Sequence, residues 1–392
     1  MNKSRDAHRK RICILATTPF AIEVFMRTHI NALKKDYDVT LVTSDHGEKL
    51  IELLGDNISF ISIQIDRKIS IENDILALIK LWRLFREEKF DSVHSIMPKS
   101  GLLAMLAARF AGVPSRLHTF TGQVWANQKG FRRFALRILD KVLAMSATKV
   151  LADSHSQRLF LIENNVVNAT KILVLAGGSI AGVNLNRFKY DAEMHNQIRL
   201  HKRIQINDIV FLFLGRLTLD KGLMDLSRAF AIAAKQDANI HLLVVGPDEE
   251  NLEMEFSILA QRFPGRVHRV GFTDCPENYM AAADVFCLPS YREGFGSVII
   301  EAAAVGLPAI ASRIYGITDA IEDGVTGILH TPTSDHEIAE AMLLLASDEA
   351  LRYRMGKAAR TRVANEFSEA RVTEAFVDFY REMFSMIRIK PR

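Results

Sequence analysis

Cysteine is scarce in this 392-residue chain: Cys13, Cys275 and Cys287 are all there are. Three is an odd number, they lie far apart, and no C-x-x-C pair occurs. That excludes a disulfide framework and a paired-cysteine metal site, and points to a reducing, cytoplasmic setting. Long apolar runs are missing too. No uninterrupted stretch approaches the ~18 residues needed to cross a bilayer. The apolar stretch behind the basic start MNKSRDAHRKR is short and reads as a first β-strand rather than the apolar core of a secretory signal. No G-x-G-x-x-G follows that strand, which argues against a dinucleotide-dependent dehydrogenase. Short-period repeats and low-complexity tracts are also lacking. Apolar residues make up 48% and charged residues 24%, the balance of a globular chain rather than a disordered one, and the length suits two or three domains of ~150 residues.

Acidic residues nearly vanish between residues 101 and 150, where Asp140 stands alone against eight Lys and Arg. The imbalance extends over half the chain. Residues 1–190 hold 28 basic and 17 acidic residues, a balance of +11; residues 191–392 hold 22 and 29, a balance of −7. A basic lobe of this kind suits nucleic acid, a phosphorylated substrate or a membrane surface, with a plain solvated face as the competing reading. Within it, FRRFALRILDKVLA (131–144) has the pattern of a basic amphipathic helix. Phe131, Phe134, Ala135, Ile138, Leu139, Val142 and Leu143 form a stripe expected to pack into the core. Arg132, Arg133, Arg137 and Lys141 are expected to meet an anionic membrane.

Short β-branched runs alternate with helical patterns along the first half: RICILAT, DVTLVT, SFISI, SVHSI, SRLHTF, TKVLA and KILVL. Most are nearly continuous apolar runs, as in parallel strands covered on both faces. The rhythm lapses from about Ala176 to Ile206, which reads as an interdomain linker and the entry to a second domain. It restarts at IVFLFLG and continues through IHLLVVG, VHRVGF, VFCLPS, PAIAS and TGILH; after these only helical patterns follow. Strand then helix, repeated, predicts two α/β, doubly wound, Rossmann-like domains facing a cleft. The expected division is residues 1–185, residues 186–367, and a C-terminal helical segment 368–392. Ser334 and Glu337 form a capping-box pattern ahead of one of the last helices.

Ligands of open α/β sheets bind where strands turn into helices. In FLFLGRLTLDKG, Gly215 allows a tight turn and Arg216 and Lys221 share the loop; a guanidinium fork and a point charge at a helix entrance suit a diphosphate, although two ordinary surface cations would look the same. In VFCLPSYREGFGSVIIEA, Gly294, Phe295, Gly296 and Ser297 lead into a helix whose N-terminus offers free N–H groups to a phosphate. Glu293 and Glu301 flank this cradle, and as carboxylates they suit hydroxyl groups of a sugar and a ribose better than the phosphate itself.

The E-x7-E spacing of these glutamates, with GRLTLDKG before it and HLLVVGP, VGFTD, GLPAIAS and ITDAIEDGVTGIL in order around it, resembles the donor site of retaining glycosyltransferases of family 4, with the GT-B fold. The resemblance covers nearly all of residues 208–345. It implies that Arg216 and Lys221 hold the diphosphate of a nucleotide sugar, that Gly294 to Gly296 supply backbone donors, that Glu293 contacts the transferred sugar and that Glu301 binds the ribose. The base is expected between Arg269 and Phe272, and the final helices are expected to return to the first domain. Two features of the family are absent: TTPFAIEVF after the first strand has no glycine, and Thr121-Gly122 stands where many members have His-Gly. Thr121 can hydrogen-bond a sugar but is no base, which favours a front-face mechanism in which the leaving phosphate takes the acceptor proton.

Acceptor contacts are expected from the basic domain: His94 and Lys99 in VHSIMPKSG, and Gln123 and Trp125 in TGQVW; a core histidine is the stronger reading of His94, a surface lysine is an even competitor for Lys99, and packing in a cleft wall is the competing reading of Gln123 and Trp125. The implied activity is transfer of a hexose or N-acetylhexosamine from a nucleotide diphosphate sugar, a UDP-sugar foremost, to a polyprenyl-diphosphate-linked saccharide in capsule, O-antigen or related bacterial surface-polysaccharide synthesis. The enzyme is expected to work without cofactor, metal or nucleic acid, peripherally at the cytoplasmic face of the inner membrane. Asp36-Tyr37-Asp38 matches a metal-binding D-x-D but falls before a strand, away from the expected cleft, and is read as a surface turn. A nucleotide-sugar epimerase of the same fold and an inactive nucleotide-sugar-binding subunit are the alternatives.

Overall fold

The structure, a computed structural model, describes residues 9–45, 47–55, 57–66 and 70–387. The chain divides into two compact units, Met1–Ala181 with Ala370–Arg392, and Gly182–Glu369. Each is built on one parallel sheet.

In the first unit the strands are β1 (Arg11–Leu15), β2 (Asp38–Thr43), β3 (Ser59–Ser62), β4 (Ser92–Ile96), β5 (Ser115–Phe120), β6 (Lys149–Ala152) and β7 (Ile172–Leu173), in the order β3-β2-β1-β4-β5-β6-β7. Ile12 is in register with Val39 on one side and Ser92 on the other. The near-continuous apolar runs have the expected cause: helices cover both faces, and β4 is buried along its whole length. The helix Glu369–Ile387 adds Phe376, Val377, Tyr380 and Phe384 to one of the two core layers.

The second unit carries β8 (Ile209–Leu214), β9 (Ile240–Val245), β10 (Val267–Val270), β11 (Val285–Leu288), β12 (Ala309–Ser312) and β13 (Gly327–His330), in the order β10-β9-β8-β11-β12-β13. Strand order reverses direction between β1 and β4 in one sheet and between β8 and β11 in the other. Such reversals leave crevices at the carboxyl ends of the strands. Both motif-bearing loops, after β8 and after β11, leave this reversal point of the second sheet. Lys99 follows β4 at the corresponding point of the first.

Two local expectations are corrected. The apolar stripe of helix Gly130–Ser146 enters the core only at its C-terminal end: Leu143 is buried, with Ala144 beside it, whereas Phe131, Phe134, Ile138 and Leu139 face water. The helix buries a narrower face, centred on Asp140 and Leu143, than its hydrophobic pattern allows. The Ser334–Glu337 capping box is half formed. Ser334 accepts the Glu337 N–H at 3.4 Å, but the Glu337 carboxylate takes the N–H of Thr331 at 2.6 Å, one turn further back.

Candidate functional site

The loops after β8 and β11 are pressed together at the backbone. Gly222 has φ +69°, and a Cβ there would lie 1.9 Å from the carbonyl oxygen of Pro289; a Cβ on Gly246, after β9, would lie 1.8 Å from that of Gly215. Only glycine permits either approach. Asp220 then joins the two loops. Its carbonyl accepts the Tyr291 N–H at 2.8 Å, and its carboxylate accepts from Thr218 at 2.5 Å and from Arg292 at 2.8 Å. Burial alone would raise its pKa, but the Thr218 bond and the charges of Arg292 and Lys221 outweigh burial and hold it below the usual carboxylate range. The Tyr291 hydroxyl donates to Asp225 at 2.6 Å, and burial together with that bond pushes it up to about 12.

Inside this frame Lys221 Nζ donates to Glu293 Oε1 at 2.5 Å, and the Ser290 hydroxyl donates to the same oxygen at 2.9 Å. The cation expected on a diphosphate and the carboxylate expected on a sugar are therefore paired with each other. Arg216 stands apart, more exposed, on Glu249 at 2.8 Å. Gly296 caps helix Ser297–Val305, whose first N–H groups have no partner within the helix. Phe295 is buried with its ring edge-on to Phe367, centroids 5.2 Å apart, so it anchors the turn. Glu301 lies half-buried one turn into that helix. Burial pushes it up to about 7 against the pull of Arg187, with Glu277 adding to the rise. Arg269 is tied down by Glu253 at 2.9 Å and by the carbonyl of Gly246 at 2.6 Å, while Phe272 is exposed.

In the first unit Thr121 follows the carboxyl end of β5 and is half-buried. Lys99 opens helix Pro98–Phe110 and is ion-paired with Asp74 at 2.6 Å. Other expected acceptor contacts lie inside the fold. His94 is fully buried; Nδ1 is 2.9 Å from the Tyr380 hydroxyl and Nε2 2.8 Å from that of Thr119. Burial pushes it down to about 3, so it is a neutral core histidine with both nitrogens engaged. Trp125 is 1% exposed, donates its indole N–H to Asp140 at 2.7 Å and stacks on Phe160 at 5.1 Å. Gln123 is buried beside it. Arg133, expected at a membrane, lies over the Trp125 ring at 5.5 Å and reaches Asn164 at 3.4 Å, whereas Arg132 and Lys141 are exposed and Arg137 half-buried. Of the D-x-D pattern, Asp36 pairs with Arg381 at 3.2 Å and Asp38 with Arg9 at 3.6 Å, at the amino end of β2. Among the described residues no cluster of three or more His, Cys, Asp and Glu side chains is placed to hold a metal ion, and no helix is long and apolar enough to cross a membrane.

Residues 195–362 match the family of group 1 glycosyl transferases, and residues 11–154 match the glycosyl transferase 4-like family. The chain is 33% identical over 359 residues to the capsular polysaccharide biosynthesis glycosyltransferase CapM of Staphylococcus aureus, an alignment spanning 91% of this chain and 93% of that one. The chain belongs to the group 1 glycosyltransferases. A UDP-Gal:alpha-D-GlcNAc-diphosphoundecaprenol alpha-1,3-galactosyltransferase of Escherichia coli is 28% identical, with coverage of 89% of this glycosyltransferase and 90% of the relative. Among solved structures, Anabaena HepE in complex with UDP-glucose superposes with a TM-score of 0.80 at 19% identity over 95% of this chain and 99% of that one. That likeness shows the GT-B fold.

Several side chains that shape the glycosyltransferase's second unit were not singled out from sequence. Ser290, Asp220 and Arg292 hold the paired loops, and no spacing rule marks them. Arg187 donates to Glu277 at 3.0 Å and to the Asp274 carbonyl at 2.7 Å, and its charge bears on Glu301. It lies 114 positions before Glu301 in the stretch read as linker, so no local pattern could join them. Gly222 and Gly246 did carry a signal, a glycine directly after a strand or turn.

Proposed function

We propose that this glycosyltransferase moves a hexose or N-acetylhexosamine, with retention of configuration, from a UDP-sugar to a polyprenyl-diphosphate-linked saccharide in capsule or O-antigen assembly. The observation that carries the donor reading is the Lys221–Glu293 pair, at the reversal point of a parallel sheet and beside the N-terminus of helix Ser297–Val305. A diphosphate entering there takes Lys221 and Arg216 as counter-charges and the N–H groups of the Gly294–Ser297 turn as donors. Glu293, released from Lys221, accepts hydroxyl groups of the sugar, and Glu301 those of the ribose.

As the anomeric carbon–oxygen bond to the diphosphate breaks, the acceptor oxygen bonds to the same face of that carbon and its proton passes to the departing phosphate oxygen. The positive charge around the diphosphate stabilises the leaving group without a metal ion. The acceptor reading is supported by the diphosphoundecaprenol in the name of the Escherichia coli relative and the polysaccharide role in that of the Staphylococcus aureus one. Arg132, Arg137 and Lys141 hold the enzyme peripherally at an anionic membrane, with the site itself in the cytoplasm.

Thermal unfolding with a panel of nucleotide sugars tests the donor. A ligand at 100-fold excess over its Kd stabilises by ~2.7 kcal/mol, so the correct nucleotide sugar raises Tm by several degrees, and the free sugar does not. Equal protection by UDP-, GDP- and ADP-sugars, or none by any, contradicts the donor assignment.

A further inference from the structure

In the first unit, between helix Ile71–Glu88 and helix Gly130–Ser146, lies an open groove of about 400 Å³ walled by Ile71, Ile75, Leu78, Leu102, Leu136 and Leu139. That volume falls within the range of small-molecule sites, ~300–1,000 Å³. Its polar groups are already committed. Lys99 is ion-paired with Asp74 at 2.6 Å, and Asp140 accepts the Trp125 indole N–H at 2.7 Å. A sugar or nucleotide entering the groove would lose its water and meet hydrocarbon, at a cost no wall residue offsets. An apolar chain loses nothing there.

The rim points the same way. Ile71 is 74%, Ile75 52%, and Val124 and Leu139 each 41% exposed, and all four line the groove. A contiguous apolar surface of this kind marks an interaction site. The charge around it selects among apolar partners. Arg132 stands one helical turn before Leu136 on the same helix face, Lys129 precedes the helix, and Arg137 and Lys141 follow. The helix's single acid, Asp140, is turned inward to Trp125. A hydrocarbon groove on a cationic helix is complementary to an apolar chain that ends in an anion.

We propose that this groove binds the first isoprene units of the lipid-linked acceptor, the diphosphate lying toward Arg132. The proposal rests on the polyprenyl-diphosphate acceptor named above and assigns it a specific seat: the enzyme recognises the lipid itself rather than only the bilayer that carries it.

Farnesyl diphosphate, monomeric in detergent-free buffer, is the probe. Saturating UDP keeps its diphosphate out of the donor site. The intact enzyme binds it at least tenfold more tightly than inorganic diphosphate. Ile75→Glu combined with Leu139→Glu lowers that affinity at least tenfold, with the circular dichroism spectrum and Tm confirming the fold. Ile75→Trp fills the groove while keeping its rim apolar. It also lowers farnesyl diphosphate binding, yet it binds anionic vesicles free of isoprenoid as well as wild type does. Equal affinity for farnesyl and inorganic diphosphate overturns the proposal. So does wild-type binding by Ile75→Trp, which would make the patch a general bilayer contact. A groove variant that alters self-association in sedimentation velocity while leaving farnesyl diphosphate binding intact also overturns it, and assigns the face to a second copy of the chain. Nucleotide-sugar protection in the same samples separates the two readings: protection without isoprenoid binding removes the groove alone, and isoprenoid binding without protection removes the donor assignment alone.

Discussion

Glu293 and Lys221 neutralise each other, and on the proposed donor reading a diphosphate competes for the lysine, which gives their variants opposite signs. Lys221→Ala removes a charge-assisted contact of ~1.5–3 kcal/mol and weakens UDP binding roughly 10- to 150-fold. Glu293→Gln frees Lys221, so the variant binds UDP more tightly while turnover falls. Calorimetry with UDP and initial rates with the UDP-sugar check both; weaker UDP binding by Glu293→Gln contradicts the exchange. Glu301 gives a pH test. Burial raises its pKa to about 7 in the free protein, whereas hydroxyl groups of a ribose donate to the ionised form. Binding therefore releases a proton, and UDP affinity falls as pH drops from 8 to 6, by up to about tenfold per unit below the pKa. Glu301→Gln flattens that dependence; an equally steep profile in the variant assigns the proton elsewhere. Of these residues the glutamates and Lys221 were legible as a spaced motif. Their mutual pairing was not, because it joins positions 72 residues apart.

The two loops act as one element because backbone meets backbone at Gly222. Gly222→Ala places a methyl group where the Pro289 carbonyl oxygen stands, at a φ of +69°. Overpacking of this kind costs at least ~1–3 kcal/mol, and a domain of this size loses ~2–4 °C of Tm per kcal/mol. The variant melts lower and binds UDP weakly even though no ligand contact has been deleted; wild-type Tm and affinity would show that the loops tolerate separation. The strands were readable almost to the residue because apolar β-branched runs in a parallel sheet are buried on both faces. The helix after Lys129 was not. Its pattern allows a broad apolar face, and which part is covered depends on helix Ile71–Glu88 and helix Pro98–Phe110, which leave a groove instead of closing over it.

Across the whole molecule the charge asymmetry puts the proposed membrane contact and the proposed donor site in different units. Each basic residue near an anionic surface is worth ~1 kcal/mol, fading over a Debye length of ~10 Å at 0.1 M salt. Replacing Arg132, Arg137 and Lys141 with Glu abolishes co-sedimentation with anionic vesicles at low salt and leaves UDP binding unchanged; equal pelleting of variant and wild type contradicts a membrane role for this helix. Arg133 is left out of the set because it supports Trp125. With Arg216, Lys221 and a helix N-terminus around the leaving diphosphate, turnover also survives EDTA; loss restored by manganese contradicts that scheme. The sequence by itself determined the family, the two parallel sheets and the two motif-bearing loops at the reversal point of the second sheet, because periodicity, glycine placement and E-x7-E spacing are local signals carried in order along the chain. Only the tertiary structure decided which side chains are spent inside. Trp125 looks like a ligand contact in sequence but is claimed by Asp140, the core reading of His94 gains its partner Tyr380, and most of the apolar stripe of helix Gly130–Ser146 reaches water, since burial depends on what distant segments bring to each face.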